Sequence, residues 1–327
     1  YWYRFRIDGH LSPVGRTRTA PGRNRRPSSL VLGLVSCQRY GSGFYTAYDD
    51  MVAADPDLVV HVGDYIYETP GGGPRVDPLP ESITLDQYRD RYGLYKQDRS
   101  LIAAHQAAPW LFTWDDHEVE NNYAGLVAEI GSATPDPAAF AARRAAAYKA
   151  YWEHMPFRAP APTGVDFAIH RRVQWGRLAD LFVLDTRPYR SDQCGEIGTC
   201  DPALDADREM LGIEQLEWLD RGLRRSRADW AVLAQQVVFS RVDFVPGPGE
   251  IFNLDQWDGY PAARQRILDT LATHRPHDTV VLTGDIHSSF VSDLKADYDD
   301  PDSATLGAEF VGTSVSSECR LSLPPMA

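Results

Sequence analysis

The feature that most limits how this chain can fold is the stretch Asp57-Leu58-Val59-Val60-His61-Val62-Gly63-Asp64-Tyr65-Ile66-Tyr67-Glu68. A short run of β-branched and apolar residues, entered from Asp55-Pro56 and stopped by a glycine, has the pattern of a strand buried on both faces. Such strands belong to α/β sheets, where ligands gather outside the carboxyl ends. Asp64 and Tyr67 therefore fall where chemistry is expected, and His61 falls inside the sheet as a structural residue. Taken alone, Gly63-Asp64 reads equally well as a turn and the tyrosines as core.

Three further strand ends shift that balance. Leu30-Val31-Leu32-Gly33-Leu34-Val35 delivers Ser36-Cys37-Gln38, Pro109-Trp110-Leu111-Phe112-Thr113-Trp114 delivers Asp115 to Asn122, and Val280 to Thr283 delivers Gly284-Asp285-Ile286-His287. Strands are also expected over Leu178–Leu184, which ends in Asp185-Thr186-Arg187, and over Trp230–Phe239. Helices are expected near Phe44–Ala54, within Leu85–Ala107, over Ala138–His154 behind the N-capping Asp136-Pro137, and over Gly212–Arg227, where Leu216, Leu219 and Leu223 form one apolar stripe. Tyr1 to Asp8 alternates in the manner of a last strand, and an arginine-rich connector with prolines and glycines follows from Val14 to Pro27.

The ends of these strands carry Cys37, Asp64, Tyr67, Asp116, His117, Asp285 and His287. Thiolate, phenolate, carboxylate and imidazole together suit an ion such as Fe(III), whereas carboxylate and amide oxygens alone suit Ca²⁺, Mg²⁺ or Mn²⁺. Asp64 is placed to bridge two such sites. Paired cations sharing a carboxylate are a usual apparatus for hydrolysing phosphate esters. They would also let a chain of net charge −13 hold an anion. The same charge argues against binding a nucleic-acid backbone or an anionic membrane as a global property. No apolar run reaches the roughly 18 residues of a membrane span.

Each residue has a plainer reading. Cys37 by itself is more often a buried filler, Tyr67 a core aromatic, and His117 a satisfied structural histidine. His117 as a supporting residue or general acid is the functional alternative. Arg187 suits a phosphate clamp, with a salt bridge to Asp185 or a neighbour as the rival. Cys194 and Cys200 sit in one polar loop and are expected to form a disulfide, which points to an oxidising compartment. The chain begins without Met inside folded material, as a mature protein or a fragment would.

Ser36-Cys37-Gln38, Gly63 to Glu68, Trp114-Asp115-Asp116-His117-Glu118 with Asn121-Asn122, Leu184 to Arg187 and Gly284 to His287 together resemble the alkaline phosphatase D family, over roughly residues 30 to 317. The resemblance implies a calcineurin-like metallophosphoesterase fold, an αββα sandwich with mixed sheets, related to purple acid phosphatases. It implies hydrolysis of phosphate mono- or diesters, as an alkaline phosphatase or phosphodiesterase, by a metal-bound hydroxide. It further implies Fe(III) on residues matching Cys37, Asp64, Tyr67 and His287, and Ca²⁺ on the Asp64 side with ligands among Asp116, Asn122 and Asp285. Which of Asp115, Asp116, Asn121 and Asn122 touches the second metal is left open by the spacing. Trp257-Asp258-Gly259-Tyr260, which recurs in the family, reads as packing near the site.

Residues 1–21 resemble the end of the family's small N-terminal β domain, with 22–327 as a catalytic domain short of the family's C-terminal segment. A monomer acting on small phosphate esters is expected, exported by the twin-arginine route with its signal outside this chain. The tail Glu318–Ala327 matches nothing in the family. It is expected to leave the chain more prone to association than a version with the full segment, or to leave a catalytically inactive phosphate- or metal-binding member.

Overall fold

The computed structural model describes residues 1–245, 247–273 and 278–318, so all but the first residue of the tail lies outside the described residues. The first strands are short pairs at the surface: β1 (Trp2–Tyr3) against β4 (Gly15–Arg16), and β2 (Arg6–Ile7) against β3 (His10–Leu11). The single strand expected over residues 1 to 8 is therefore corrected. Asp8 and Gly9 both take positive φ, 45° and 84°, and turn the run back on itself as a hairpin.

The α/β alternation follows. β5 (Leu32–Val35), α1 (Ala47–Ala53), β6 (Leu58–His61), α2 (Leu85–Tyr95), α3 (Arg99–Ala107), β7 (Trp110–Phe112) and α4 (Pro137–His154) form the first half. The helical stretch after residue 85 is split because Asp98 starts a new helix, its carboxylate accepting from the Leu101 N–H at 3.0 Å. Asp136 caps α4 in the same way through the N–H groups of Ala138 and Ala139. The second half holds β8 (Arg171–Trp175), β9 (Ala179–Val183), β10 (Ile197–Gly198), α5 (Ile213–Arg225), β11 (Trp230–Ala234), β12 (Phe252–Asn253), α6 (Pro261–Thr273), β13 (Asp278–Thr283), β14 (Phe290–Lys295) and β15 (Thr305–Val311). The strand expected to reach Phe239 stops at Ala234, because Gln235 and Gln236 turn their amides into the interior between strand ends.

β5, β6 and β7 make a parallel three-stranded sheet, and a six-stranded sheet runs β14-β15-β13-β11-β9-β8, parallel except at its two edge strands. The period of two along a strand sorts side chains between layers. Leu181 and Val183 of β9 face Leu58, Val60 and Leu111 of the small sheet, whereas Phe182 and Leu184 pack with Leu219 and Leu223 of α5 and Ile267 and Leu268 of α6. Val59 and Phe112 face the other way, into a tyrosine-rich cluster with α1 to α4. The two sheets thus pack face to face with helices outside each. Their parallel strands all point the same way, which brings the loops after β5, β6, β7 and β13 to one end.

The candidate metal centre

Those four loops turn sharply. Cys37, Asp64, Asn122, Asp285 and His287 all have left-handed backbones, with φ of 58°, 57°, 51°, 68° and 54°. Each such non-glycine residue costs about 1–3 kcal/mol, a strain found mainly where surrounding packing fixes a site. Burial on the scale of about 1.5–3 kcal/mol per enclosed Val or Leu in the strands beneath offsets it. Close approach of the turns needs glycine twice: a Cβ on Gly63 would lie 2.4 Å from the Cβ of Asp115, and one on Gly284 would lie 2.3 Å from the Ser36 hydroxyl.

The turn at Asp64 is held by Glu118. Its carboxylate accepts from the N–H groups of Asp64 at 3.1 Å, Tyr65 at 2.6 Å and Asp115 at 2.8 Å, so two strand ends share one anchor. Burial still pushes its pKa up to about 7.

The ligand atoms of Cys37, Asp64 and His287 lie within 4.8 Å of one another, as do those of Asp64, Asp116 and His117, and those of Asp115, Asp116 and Asp285. Asp64 belongs to the first two groups and Asp116 to the last two. The Tyr67 hydroxyl lies 3.0 Å from both an Asp64 oxygen and His287 Nε2, and accepts from the Ser317 hydroxyl at 2.7 Å. Asn122 joins through its backbone, whose N–H donates to Asp116 at 2.7 Å.

This arrangement fits bound cations. Asp64 Oδ1, Asp115 Oδ2 and Asp116 Oδ1 are buried and accept no hydrogen bond among the described residues. Leaving buried carboxylate oxygens without a partner is costly. Burial raises the Cys37 thiol well above its usual range, with Asp64, Asp285 and Asp115 adding repulsion, so a thiolate there needs a positive ion beside it. Burial likewise raises Asp64 and Asp115, and takes Asp285 to about 7.

His117 is oriented by Glu68, whose carboxylate meets Nδ1 at 2.7 Å. Burial opposes its protonation, but Glu68, Asp64 and Asp116 outweigh it and hold the imidazole well above its ordinary pKa. The phosphate clamp expected of Arg187 is corrected. Its side chain is wholly buried, with Nε donating to Asp115 and both terminal nitrogens donating to Asp255 at 2.8 Å. The rival reading, a salt bridge to Asp185 or a neighbour, fits through the neighbours: among the described residues the Asp185 carboxylate accepts only from the Arg187 backbone N–H and from Trp114. Arg187 is a counter-charge beneath the acidic group, 3.6 Å from Asp116 and 3.8 Å from Asp285.

Several participants escaped the sequence reading. Glu68 and Glu118 sat inside the motifs without a role, and the side chains of Asp255 and Ser317 find their partners across the fold. Arg39 lies two residues beyond Cys37, its guanidinium 5.0 Å from the Tyr67 ring centre and its buried Nε without an acceptor among the described residues. Trp257 is buried in the cluster with α5 and α6, its indole N–H donating to Gln235. His61 is enclosed within the core, and Cys194 and Cys200 are disulfide-bonded. Among the described residues no helix is long and apolar enough to cross a membrane.

Fold and site together define a mixed α/β protein built around clustered side chains that could hold metal ions. The model for the PhoD-like phosphatase family matches residues 32–322, which corrects the expectation that nothing from Glu318 onward would match the family: the match takes in the first five residues of that tail. Alkaline phosphatase D of Bacillus subtilis (strain 168) is 44% identical over 328 residues, covering 97% of this chain and 56% of that protein. A solved structure described as "Structure of PhoD" superposes with a TM-score of 0.93 at 44% identity, over 97% of this chain and 62% of the other. The chain belongs to the PhoD-like phosphatase family, and it spans between half and two-thirds of the length of these relatives.

Proposed function

We propose that the chain hydrolyses phosphate mono- or diesters at a two-cation centre on a calcineurin-like αββα sandwich. The observation that carries this reading is the sharing of Asp64 between two groups of potential ligands in which one oxygen each of Asp64 and Asp116 is buried and accepts no hydrogen bond among the described residues. Cys37, Asp64, Tyr67 and His287 would hold Fe(III), and Asp64, Asp116, Asn122 and Asp285 would hold Ca²⁺. Bound there, the cations supply an acidified water and a positive field for the phosphoryl group.

The remaining work falls to the protein's own side chains. His117, oriented by Glu68, is placed to donate a proton to the leaving alkoxide. Arg39, whose guanidinium donates to Thr69 and the Pro70 carbonyl and to no carboxylate, is the cation beside the cluster left to meet a phosphoryl oxygen, because Arg187 is committed to carboxylates. Glu118 fixes the Asp64 and Asp115 turns relative to each other. We assign the catalytic part to residues from 22 onward and place the protein outside the cytoplasm, in keeping with its disulfide.

Hydrolysis of aryl phosphate mono- and diesters by the metal-replete chain tests the reading. Partners one layer out from a metal typically contribute 10–100-fold, so Asp64→Ala should lower turnover by more than about 100-fold. Undiminished turnover in that variant would refute the mechanism. Tight phosphate binding without turnover, whatever the metal content, would identify an inactive binding member instead.

A further inference from the structure

At the opposite end of the six-stranded sheet from the candidate centre lies a cavity of about 290 Å³ lined by Arg23, Arg172, Arg177, Arg225 and Arg227, with Asp180 as its sole carboxylate. In a chain of net charge −13, such a concentration of guanidinium groups is out of character. Grouping them costs repulsion that an anion would relieve. The arginines come from four places: the connector before β5, strand β8, the β8–β9 turn, and the end of α5 with the loop that follows it.

The wall is fixed in place. Gly176, at φ 61°, lies under the connector so closely that a Cβ would come 2.5 Å from the Arg25 carbonyl, and the Arg177 N–H donates to that same oxygen at 2.8 Å. Arg172 is ion-paired with Asp180, while Arg23, Arg177, Arg225 and Arg227 enter no ion pair among the described residues. Neighbouring arginines behave differently: Arg221 and Arg224 are paired along α5 with Glu217 and Asp220.

Two buried atoms at this cavity lack hydrogen-bond partners among the described residues, the Arg172 Nε donor and the Asp180 Oδ1 acceptor. Asp180 is 1% exposed, and its other oxygen takes both Arg172 and the Ser226 hydroxyl. An anion that accepts from guanidinium and also carries a hydroxyl would satisfy both. Hydrogen phosphate or a phosphate monoester monoanion has that combination, and fully ionised sulfate does not.

We infer that this arginine cavity is a second phosphate-binding site, separate from the reaction centre. β9 runs from the cavity at Asp180 toward Arg187, seven residues on, which at about 3.3 Å per residue sets the two roughly 20 Å apart. The phosphate can be free inorganic phosphate or a terminal phosphomonoester of a longer polyphosphorylated substrate. Either source presents the same group.

The test counts inorganic phosphate bound per chain by equilibrium dialysis, for the wild type and for Arg177→Ala/Arg225→Ala, which lies outside the reaction centre. The double variant should bind one equivalent fewer and hydrolyse a small aryl phosphate as the wild type does. Sulfate should compete at this site at least about tenfold more weakly than phosphate, the worth of one hydrogen bond to a charged group. A raised KM for a long phosphomonoester-ended substrate alone would assign the cavity to substrate, and an unchanged KM would assign it to free phosphate. An unchanged phosphate count would overturn the site, and equal competition by sulfate would overturn the hydrogen bond to Asp180. The binding count is independent of turnover, so it stands whether or not the proposed hydrolysis does.

Discussion

The two outer cores of this molecule are built from different materials. Between the small sheet and α1 to α4 the packing is aromatic, with Tyr45, Tyr48, Tyr65, Tyr88, Tyr92, Tyr95, Trp114 and Tyr148 all buried. Between the large sheet and α5 and α6 it is mostly aliphatic. The difference follows from what each must hold. Tyr45 donates to the Gln38 carbonyl just after Cys37, Tyr95 accepts from the Tyr67 N–H, and Tyr88 donates to the Val119 carbonyl just after His117. A tyrosine combines a large apolar body with one polar tip, so the aromatic core packs and also grips the site loops. The aliphatic core has to supply a rigid sheet, and methyl groups suffice for that.

Acid should separate the two cores most strongly. His61 and His105 lie in the aromatic half, and burial lowers both pKa values to about 3. The unfolded chain, titrating near 6.5, then binds more protons than the folded one across the interval. Their contribution is complete above pH 6.5 and is lost as pH falls toward 3, reaching about 4–5 kcal/mol for a fully buried imidazole. His61→Phe should therefore gain on the wild type as pH falls from 6.5 to 3, read as urea midpoints. A constant difference would remove this source of acid sensitivity.

Leu233→Ala, in the aliphatic core, comes next. It should cost about 3 kcal/mol of stability by chemical denaturation while phosphate-ester turnover per folded molecule stays unchanged. Glu118→Gln should do the reverse. Loss of the shared anchor should lower turnover or metal affinity 10–100-fold, equivalent to about 1.4–2.7 kcal/mol, with a smaller effect on unfolding. An effect of similar size, about 2 kcal/mol in all, is expected for Tyr88→Phe. It leaves the Val119 carbonyl and one Arg143 N–H without this partner, at about 1 kcal/mol each, and should lower stability and activity together. Equal responses of stability and turnover across Leu233→Ala and Glu118→Gln would erase the distinction between the halves.

How legible each part was in the sequence follows the same division. Strands that are apolar and end in a candidate ligand, β5, β6, β7 and β13, could be read directly, because periodicity and motif coincide. β15 was missed because Gly307 and the buried Glu309 interrupt its pattern. Glu309 is there to accept from the Phe239 and Ser240 N–H groups and the Thr283 hydroxyl, a purpose only the fold reveals. β8 begins with two arginines and holds a polar edge. The ligand types at the strand ends were legible for a local reason, since each lies within a few residues of a strand end. The ion pairs of Arg187 were not, because Asp255 stands 68 residues away and nothing local marks it as a partner.

The most direct test of a cation centre bridged by Asp64 is the metal content and visible spectrum of the purified chain, set beside those of Tyr67→Phe. The account predicts bound iron and a phenolate-to-Fe(III) charge-transfer band that Tyr67→Phe bleaches or shifts. A colourless protein holding only zinc or magnesium, or a band unchanged in Tyr67→Phe, would contradict the assignment of Tyr67 as an iron ligand. A metal-replete preparation retaining no metal at all would contradict the centre itself.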